Sequence, residues 1–444
     1  MLCLNEDWTV MIIGSGAREH AISLAYEKSP KVKKIIVVPG NDFIAYGRNK
    51  QVIIKKDCLE TDRDALLKIA EEYKPNIIDV AQDNALAEGL VDFFQEKGYK
   101  VFGPSKQAAR IEWDKKWSRE FMKKYNIPIP LFESFDDENK AIEYVTGVYG
   151  QEPNKAVYVK ACGLCSGKGA LKASSLSEAI DNIKQMHQFG ESGKVFVIEE
   201  GLIGEEFSYF AILDEKNYKI FKSAQDNKTV YNFDQGEQTG GMGVISPAKV
   251  VQGYESFIEK EMIKKVVDGM IAEGYPFSGI LYLGGILTKD GLKVIEYNAR
   301  WGDPECQVIL PGLKNDYTEI VCAAIDGNLD QISLIQDDSI RVCVVGASKG
   351  YPGNYSEAKS KEIYGLNTAA KIPGINIYGA GIKVENNKFL TNGGRLFSVV
   401  SEGENIIEAR KRAYSAIAHI HIEGNNLHYR TDIGWRDVER FLHT

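Results

Sequence analysis

Glu296 and Asn298 stand two residues apart at the end of the run Gly291-Leu292-Lys293-Val294-Ile295-Glu296-Tyr297-Asn298. Read as a strand, the run sends Val294, Glu296 and Asn298 to one face and Ile295 and Tyr297 to the other, with Glu296 and Asn298 about 7 Å apart. A carboxylate and an amide oxygen so placed are hard ligands of the kind Mg²⁺ or Mn²⁺ accepts, with bound phosphates and water completing the octahedron. An exposed strand end with no metal shows the same pattern. Directly beyond it, Arg300, Asp303 and Glu305 crowd a Gly302-Asp303-Pro304 turn, and charge gathered there points to substrate handling.

Other stretches offer phosphate and nucleotide chemistry. Gly14-Ser15-Gly16-Ala17-Arg18-Glu19-His20 follows the β-branched run Thr9 to Ile13 and opens a helical pattern, so backbone N–H groups and a positive dipole end face an anion. The phosphate of a sugar-phosphate is the preferred ligand, with a bare βα turn as the alternative. A dinucleotide fingerprint needs glycine where Glu19 stands, which disfavours a nicotinamide enzyme. The predicted strand Ala156 to Lys160 drives into Cys162-Gly163-Leu164-Cys165-Ser166-Gly167-Lys168-Gly169, whose amides and ammonium groups can close over a polyphosphate. Gly169 replaces the hydroxyl residue of a Walker loop, and a plain hairpin is the alternative. The strand Val195 to Glu200 ends in a turn, Gly201-Leu202-Ile203-Gly204, whose backbone can bond a planar base, while Glu206 can accept both hydroxyls of a ribose. Gln225-Asp226-Asn227-Lys228 and Thr239-Gly240-Gly241-Met242-Gly243 are polar loops that flank a site or simply turn the chain.

An α/β scaffold must position these groups. Strands at Thr9–Ile13, Lys34–Val38 and Asn76–Val80 alternate with helical patterns over 64–73 and 85–97, which predicts a parallel, doubly wound sheet with its ligands at the strand C-termini. Near residue 105 the pattern changes to one amphipathic helix over 106–125 with a proline-marked exit, Ile127-Pro128-Ile129-Pro130. A last segment opens with the strand Ser339 to Val345 and carries a helix over 405–420. The 444 residues, 44% hydrophobic and 26% charged, allow several cores in three or four domains. A net charge of −8 opposes a broad nucleic-acid footprint, and the absence of a basic leader or a long uncharged span predicts a cytoplasmic protein off the membrane. Seven scattered cysteines do not make a disulfide framework, and Cys162 and Cys165 have no second pair to complete a zinc site.

Taken in order, Lys160…Gly167-Lys168-Gly169, Glu199-Glu200…Gly204-Glu205-Glu206-Phe207-Ser208, Thr239 to Gly243 and Glu296 to Glu305 resemble the glycinamide ribonucleotide synthetase family of ATP-grasp ligases. Pro39-Gly40-Asn41, Tyr351-Pro352-Gly353, Thr391 to Arg395 and Arg430…Asp432-Ile433-Gly434 extend the resemblance over nearly the whole chain. It implies a mixed α/β and α+β multidomain fold. A doubly wound N-terminal substrate domain (1–105) would precede a two-part ATP-grasp core (106–330, with a glycine-rich lid at about 130–200) and a small mixed C-terminal domain (331–444). It also implies a purine-synthesis reaction: ATP phosphorylates glycine, and 5-phosphoribosylamine displaces phosphate to give the amide. Matched by motif, Lys115, Lys160, Gly163, Ser166, Gly167, Lys168 and Gly169 would hold the ATP phosphates. Glu199, Glu200 and Leu202 would line adenine, Glu206 would take the ribose, and Glu296 and Asn298 would bind Mg²⁺ or Mn²⁺. Arg300 would stabilise the transferred phosphoryl group, and Asp303 and Asp226 complete the catalytic set by positioning substrate with Gly302 and Pro304. Gly14, Ser15, Gly16, Arg18 and Asn41 would contact phosphoribosylamine.

This chain departs from the family at several of these positions. Cys162, Cys165 and Ser166 replace the usual loop residues, which raises a redox-sensitive lid against two inert side chains. Ala81-Gln82-Asp83 stands where the family has Gly-Pro-Glu, and Glu112-Trp113-Asp114 precedes Lys115 where Glu-Gly-Ser is usual. A monomer or weak homodimer is expected. An ATP-grasp ligase for another acid and amine, and a non-catalytic nucleotide-binding regulatory module, are the other readings.

Overall fold

The computed structural model describes residues 7–165 and 169–443. The chain opens with β1 (Trp8–Gly14), α1 (Ala17–Glu27), β2 (Val32–Pro39), β3 (Gln51–Ile54), α2 (Arg63–Tyr73), β4 (Ile77–Val80), α3 (Asp83–Ala87), α4 (Leu90–Glu96) and β5 (Val101–Phe102). These strands form a parallel sheet in the order β3-β2-β1-β4-β5. Val10, Met11, Ile12 and Ile13 are wholly buried, as a central parallel strand covered on both faces requires.

Two predicted helices are each divided. The pattern over 85–97 splits into α3 and α4 because Gly89, at φ +76°, takes the left-handed conformation between them. The pattern over 106–125 splits into α5 (Arg110–Trp113) and α6 (Lys115–Lys124), because the Asp114 carboxylate accepts the Trp117 N–H at 3.0 Å and starts a new helix. Hydrophobic periodicity runs straight through such a cap. The restart matters because it makes Lys115 the first residue of α6.

The next segment is an antiparallel sheet of β6 (Phe132–Phe135), β7 (Val157–Ala161), β8 (Ala170–Ala173) and β9 (Phe196–Glu200), ordered β6-β9-β7-β8. Helices Glu138–Gln151 and Leu176–Gln185 pack on it around Val145, Val159, Ile183 and Ile198. A second antiparallel sheet joins β10 (Gly204–Asp214) and β11 (Tyr218–Ile220) to the strands Ser278–Thr288 and Gly291–Asn298. One core runs from the first sheet through α6 to this one, including Met11, Ile78, Phe121, Tyr209, Val294 and Tyr297.

The Gly291–Asn298 strand carries a bulge. Gly284 pairs with Glu296 while Gly285 pairs with Val294, so Ile295 is the extra residue. The expected grouping of Val294 with Glu296 and Asn298 is therefore corrected. The bulge turns Val294 into the core beside Tyr297 and leaves Glu296 and Asn298 together on the opposite face.

The last sheet combines chain segments far apart in sequence. Gln225–Asp226 and Gly243–Ser246 pair in series with Ile340–Ser348, Arg395–Gly403 and Ile375–Gly379. Asp226 is thus tied, through Gly243–Ser246, to strands that lie beyond residue 339. Helix Ile406–Ile417 packs here, capped by Asn405, which accepts the Glu408 N–H at 2.9 Å. No helix among the described residues is long and apolar enough to cross a membrane.

Candidate active site

Glu296 lies where all these elements meet. Burial alone would raise its carboxyl, but Lys228, then Lys115, Lys160 and Arg300, hold it down to about 2. Each cation comes from a different place. Lys115 starts α6, and its N–H donates to the Cys162 carbonyl at 3.0 Å. Lys160 is the second-to-last residue of β7, Lys228 lies just beyond the Gln225–Asp226 strand, and Arg300 just beyond the strand that ends at Asn298.

Lys160 Nζ donates to Glu199 Oε2 at 2.6 Å, and Arg119 grips the same carboxylate through both oxygens at 2.5 and 2.9 Å. Although buried, the Glu199 carboxyl is held down to about 2 by Arg119 and then Lys160. Glu200 points elsewhere, accepting the Leu131 N–H at 2.9 Å and Lys293 Nζ at 3.1 Å. Leu202 is half-buried in the turn between β9 and β10. Glu206 pairs with Lys228 at 3.2 Å while 42% of its side chain stays exposed, so it remains reachable by a ligand. Glu206 keeps the Lys228 ammonium well above the ordinary lysine value despite burial.

Arg300 is already engaged. It pairs with Glu112 at 2.8 Å and Asp83 at 3.8 Å and donates to the Trp301 carbonyl at 3.1 Å, while its Nε is buried with no hydrogen-bond partner. Asp83, the departure from the family pattern, thus sits against the same guanidinium. Glu112, the residue before Trp113, also accepts the Ala299 N–H at 2.7 Å, which ties α5 to the end of the Gly291–Asn298 strand.

Beyond this cationic half lies an acidic one. Asp226 Oδ1 is buried without a hydrogen-bond partner, and burial, then the Glu305 carboxylate, push the Asp226 carboxyl well above its ordinary range. Glu305, 2% exposed, accepts the Ser208 hydroxyl at 3.0 Å. Gly302 lies against it, since a Cβ there would come within 2.4 Å of Glu305 Oε2. Asp303 accepts Gln307 Nε2 at 2.8 Å and lies 3.4 Å from Arg395 Nη1. The same Arg395 nitrogen donates to the Gly240 carbonyl at 2.6 Å and the Asp303 carbonyl at 2.8 Å. Gly240 in turn donates its N–H to the Tyr351 hydroxyl at 3.0 Å. Gly241 has φ +111°, and a Cβ there would lie 2.6 Å from Pro304 Cδ and 2.9 Å from Asp226 Oδ1.

The first βα turn joins this acidic half. A Cβ on Gly16 would lie 3.2 Å from Asp303 Oδ2, and Arg18 donates to the Trp301 carbonyl at 3.1 Å. The expectation of a free anion seat at the start of α1 needs correction. The wholly buried Glu19 carboxylate accepts the Gly16 N–H at 2.6 Å and Arg18 Nε at 2.7 Å, so a protein anion already caps the helix where a phosphate was expected. Gly14, at φ +147°, leaves room for that carboxylate. Asn41 is committed to the fold, donating to the carbonyls of Ser15 at 2.7 Å and Gly379 at 3.0 Å and accepting the Phe43 N–H.

In the glycine-rich loop, Gly163 donates to the Ser192 carbonyl at 3.3 Å and the Gly169 carbonyl accepts the Ala161 N–H at 2.8 Å. Ser166, Gly167 and Lys168 lie outside the described residues. The described cysteines are free, and burial pushes the Cys162 thiol up to about 12, far from a reactive thiolate.

Sequence reasoning left out Lys228, Arg395, Arg119, Glu112 and Asp83 as site residues. Lys228 and Arg395 stood in motifs already singled out. Arg119 is one of several cations on an amphipathic helix and carried no distinguishing signal.

Among the described residues no three His, Cys, Asp or Glu side chains gather for a metal. The donors present nevertheless suit a phosphate-bridged hard cation: one carboxylate kept ionised and one amide on the same face of one strand, with cations around them for the phosphates.

The chain matches the phosphoribosylglycinamide synthetase N domain over residues 8–112, its ATP-grasp (A) domain over 113–306 and its C domain over 341–436. It is 39% identical over 431 residues to a phosphoribosylamine--glycine ligase of Caldanaerobacter subterraneus subsp. tengcongensis, covering 96% of this chain and 99% of that protein. The crystal structure of phosphoribosylamine--glycine ligase from Thermotoga maritima superposes with a TM-score of 0.79 at 31% identity, covering 96% of this chain and all of that one (100%). The biotin carboxylase domain of Hydrogenobacter thermophilus 2-oxoglutarate carboxylase, solved with MgADP, ADP and bicarbonate, shares the fold at a TM-score of 0.70 and 15% identity, covering 95% of this chain and 92% of that one.

Proposed function

The chain belongs to the phosphoribosylglycinamide synthetase family, and on that premise we propose that it ligates glycine to 5-phosphoribosylamine at the expense of ATP, through glycyl phosphate. The observation that carries this reading is the convergence of Lys115, Lys160, Lys228 and Arg300 on Glu296, beside an acidic half in which Asp226 lacks a donor. A polyphosphate satisfies the first half and an amine the second.

Lys115 and Lys160 grip the ATP phosphates, and Glu206 meets the ribose. Glu296 and Asn298 would hold the divalent cation, which supplies charge neutralisation between the phosphates. Lys228 and Arg300 neutralise the γ-phosphoryl oxygens as the glycine carboxylate oxygen attacks phosphorus and the bond to ADP breaks. Arg300 reaches that role by leaving Asp83, its more distant partner at 3.8 Å, while Glu112 keeps hold of it at 2.8 Å. The amine of phosphoribosylamine then attacks the acyl carbon, phosphate leaves, and the nitrogen loses a proton as the amide forms. Asp226 and Glu305 offer acceptors to the substrate ammonium, which supplies the donor that Asp226 Oδ1 lacks. Asp303 is held by Arg395 and Gln307 and faces the Gly14 to Arg18 turn; phosphoribosylamine would lie along this face with its phosphate away from the Gly16 N–H that Glu19 takes. No enzyme nucleophile is needed, so positioning and exclusion of water from the acyl phosphate carry the rate.

The test is ADP release with Mg²⁺ and phosphoribosylamine formed in place from ribose 5-phosphate and ammonia. ADP should require both glycine and phosphoribosylamine and should disappear in Glu296→Ala. Release indifferent to glycine would assign a different acid to the same site.

A further inference from the structure

Arg119 is the buried cation of the site for which the proposed reaction has no task. It projects from α6, its side chain is 4% exposed, and its donors are divided among three acceptors on two other elements. Nε meets Glu199 Oε1 at 2.5 Å, Nη2 meets Glu199 Oε2 at 2.9 Å, and Nη2 also donates to the Ile295 carbonyl. Ile295 is the bulged residue that aims Glu296 and Asn298 at the site, and a bulge leaves its extra residue without a regular ladder partner. Glu199 Oε2 is at the same time the acceptor of Lys160.

One buried carboxylate thus holds two cations, and only one of them is wanted by ATP. Lys160 must turn from Glu199 to reach a phosphate. Were Lys160 the only partner, its departure would strand a buried, unpaired carboxylate, which is strongly unfavourable. Arg119 removes that obstacle, because its two-point grip on Glu199 does not depend on Lys160. We propose that Arg119 is a positioning residue for the ligase reaction: it keeps Glu199 neutralised while Lys160 transfers to the ATP phosphates. This inference rests on the reading that Lys160 binds those phosphates.

The mechanism makes a demand that simple structural support does not. The effect of Arg119 on ATP must pass through Glu199. Binding of a non-hydrolysable ATP analogue with Mg²⁺ is measured by calorimetry for wild type, Arg119→Met, Glu199→Gln and the double variant, and steady-state KM for glycine is measured alongside. Arg119→Met should weaken the analogue about ten-fold or more with glycine KM within about two-fold, and in the Glu199→Gln background the same change should cost less than about three-fold. Arg119→Lys, which keeps the charge but not the two-point grip, should fall between wild type and Arg119→Met, and it carries the test if the methionine variant does not fold. Effects that multiply independently in the double variant, or an Arg119→Lys variant with wild-type affinity, would overturn the proposal. Lys160→Met separates the two levels of the argument. If it leaves analogue affinity unchanged, the phosphate reading of Lys160 fails; if it weakens binding while the Arg119 variants do not, only the role given to Arg119 fails.

Discussion

Lys228→Met should cost the enzyme far more in catalysis than in stability. Lys228 is half-buried among Glu206, Tyr282, Glu296 and Asp226, and its ammonium stays charged at any working pH because Glu206, 3.2 Å away, holds its proton on. The methionine removes one positive charge from the cleft at nearly constant volume. A unit charge about 5 Å from a phosphoryl oxygen, at an effective dielectric of about 20, is worth roughly 3 kcal/mol. Loss of one preorganised donor to a developing anion is of the same size, about 3 to 4 kcal/mol. The expected fall in kcat/KM for ATP is therefore about 10² to 10³-fold. Stability should move little, since the partner that remains, Glu206, has 42% of its side chain in contact with solvent and can rehydrate. ADP release under saturating glycine and phosphoribosylamine gives the first quantity, and thermal unfolding the second. Lys228→Arg should recover most of the loss, because the charge is kept. A decrease of less than about five-fold, or an arginine variant as poor as methionine, would mean that Lys228 serves only to neutralise Glu206.

Gly241→Ala should lose both stability and glycine affinity, because φ +111° is closed to alanine and its Cβ would press on Pro304 and Asp226; about 1 to 3 kcal/mol of destabilisation is expected, and wild-type unfolding with unchanged glycine KM would contradict it. Asp79→Asn should gain stability as pH rises. Burial raises the Asp79 carboxyl to about 7 against an ordinary value of 3.8, so wild type loses stability as pH rises between those values. Asparagine avoids that loss and retains an oxygen for the Tyr26 hydroxyl, which donates to Asp79 at 2.8 Å. Its advantage in denaturant unfolding should be absent near pH 4 and reach on the order of 4 kcal/mol above about pH 7, and a pH-independent difference would refute the charge argument.

What could be read in the sequence was whatever local pattern determines. The run Thr9 to Ile13 became the buried β1 because β-branched residues with no polar interruption suit a strand covered on both faces. The i, i+2 spacing of Glu296 and Asn298 survived because both lie beyond the bulge. The bulge itself was invisible, since it is a property of register against Gly284 and Gly285 on another strand. Glu19 marked a failed dinucleotide fingerprint in the sequence, and only the fold shows that its carboxylate caps the turn from which the glycine is missing. Lys228 reads as an ordinary lysine in a polar loop until Glu206 and Glu296 are brought around it, and Arg395, distant in sequence, meets Asp303 through the shared final sheet. Long-range charge pairing leaves no periodic trace.

The two halves of the site explain why a ligase can work here without a covalent nucleophile. Lys115, Lys160, Lys228 and Arg300 converge on Glu296, and three of them hold carboxylate partners in the free protein, Glu199, Glu206 and the Glu112–Asp83 pair, that phosphate oxygens can replace, while in the group Asp226, Glu305 and Asp303 the Asp226 Oδ1 has no hydrogen-bond donor. Each substrate therefore brings partners suited to its half: the polyphosphate to the cations, an amine to the unmet acceptor. On the proposed reading a glycine zwitterion would span the division with its ammonium toward Asp226 and its carboxylate toward the cations. That orientation points the carboxylate at the phosphoryl group before any bond forms, which is the positioning that phosphoryl transfer requires. On that reading, acids without an amino group would satisfy the cationic half alone and leave Asp226 Oδ1 without its donor, so the acidic half would select for an amino acid.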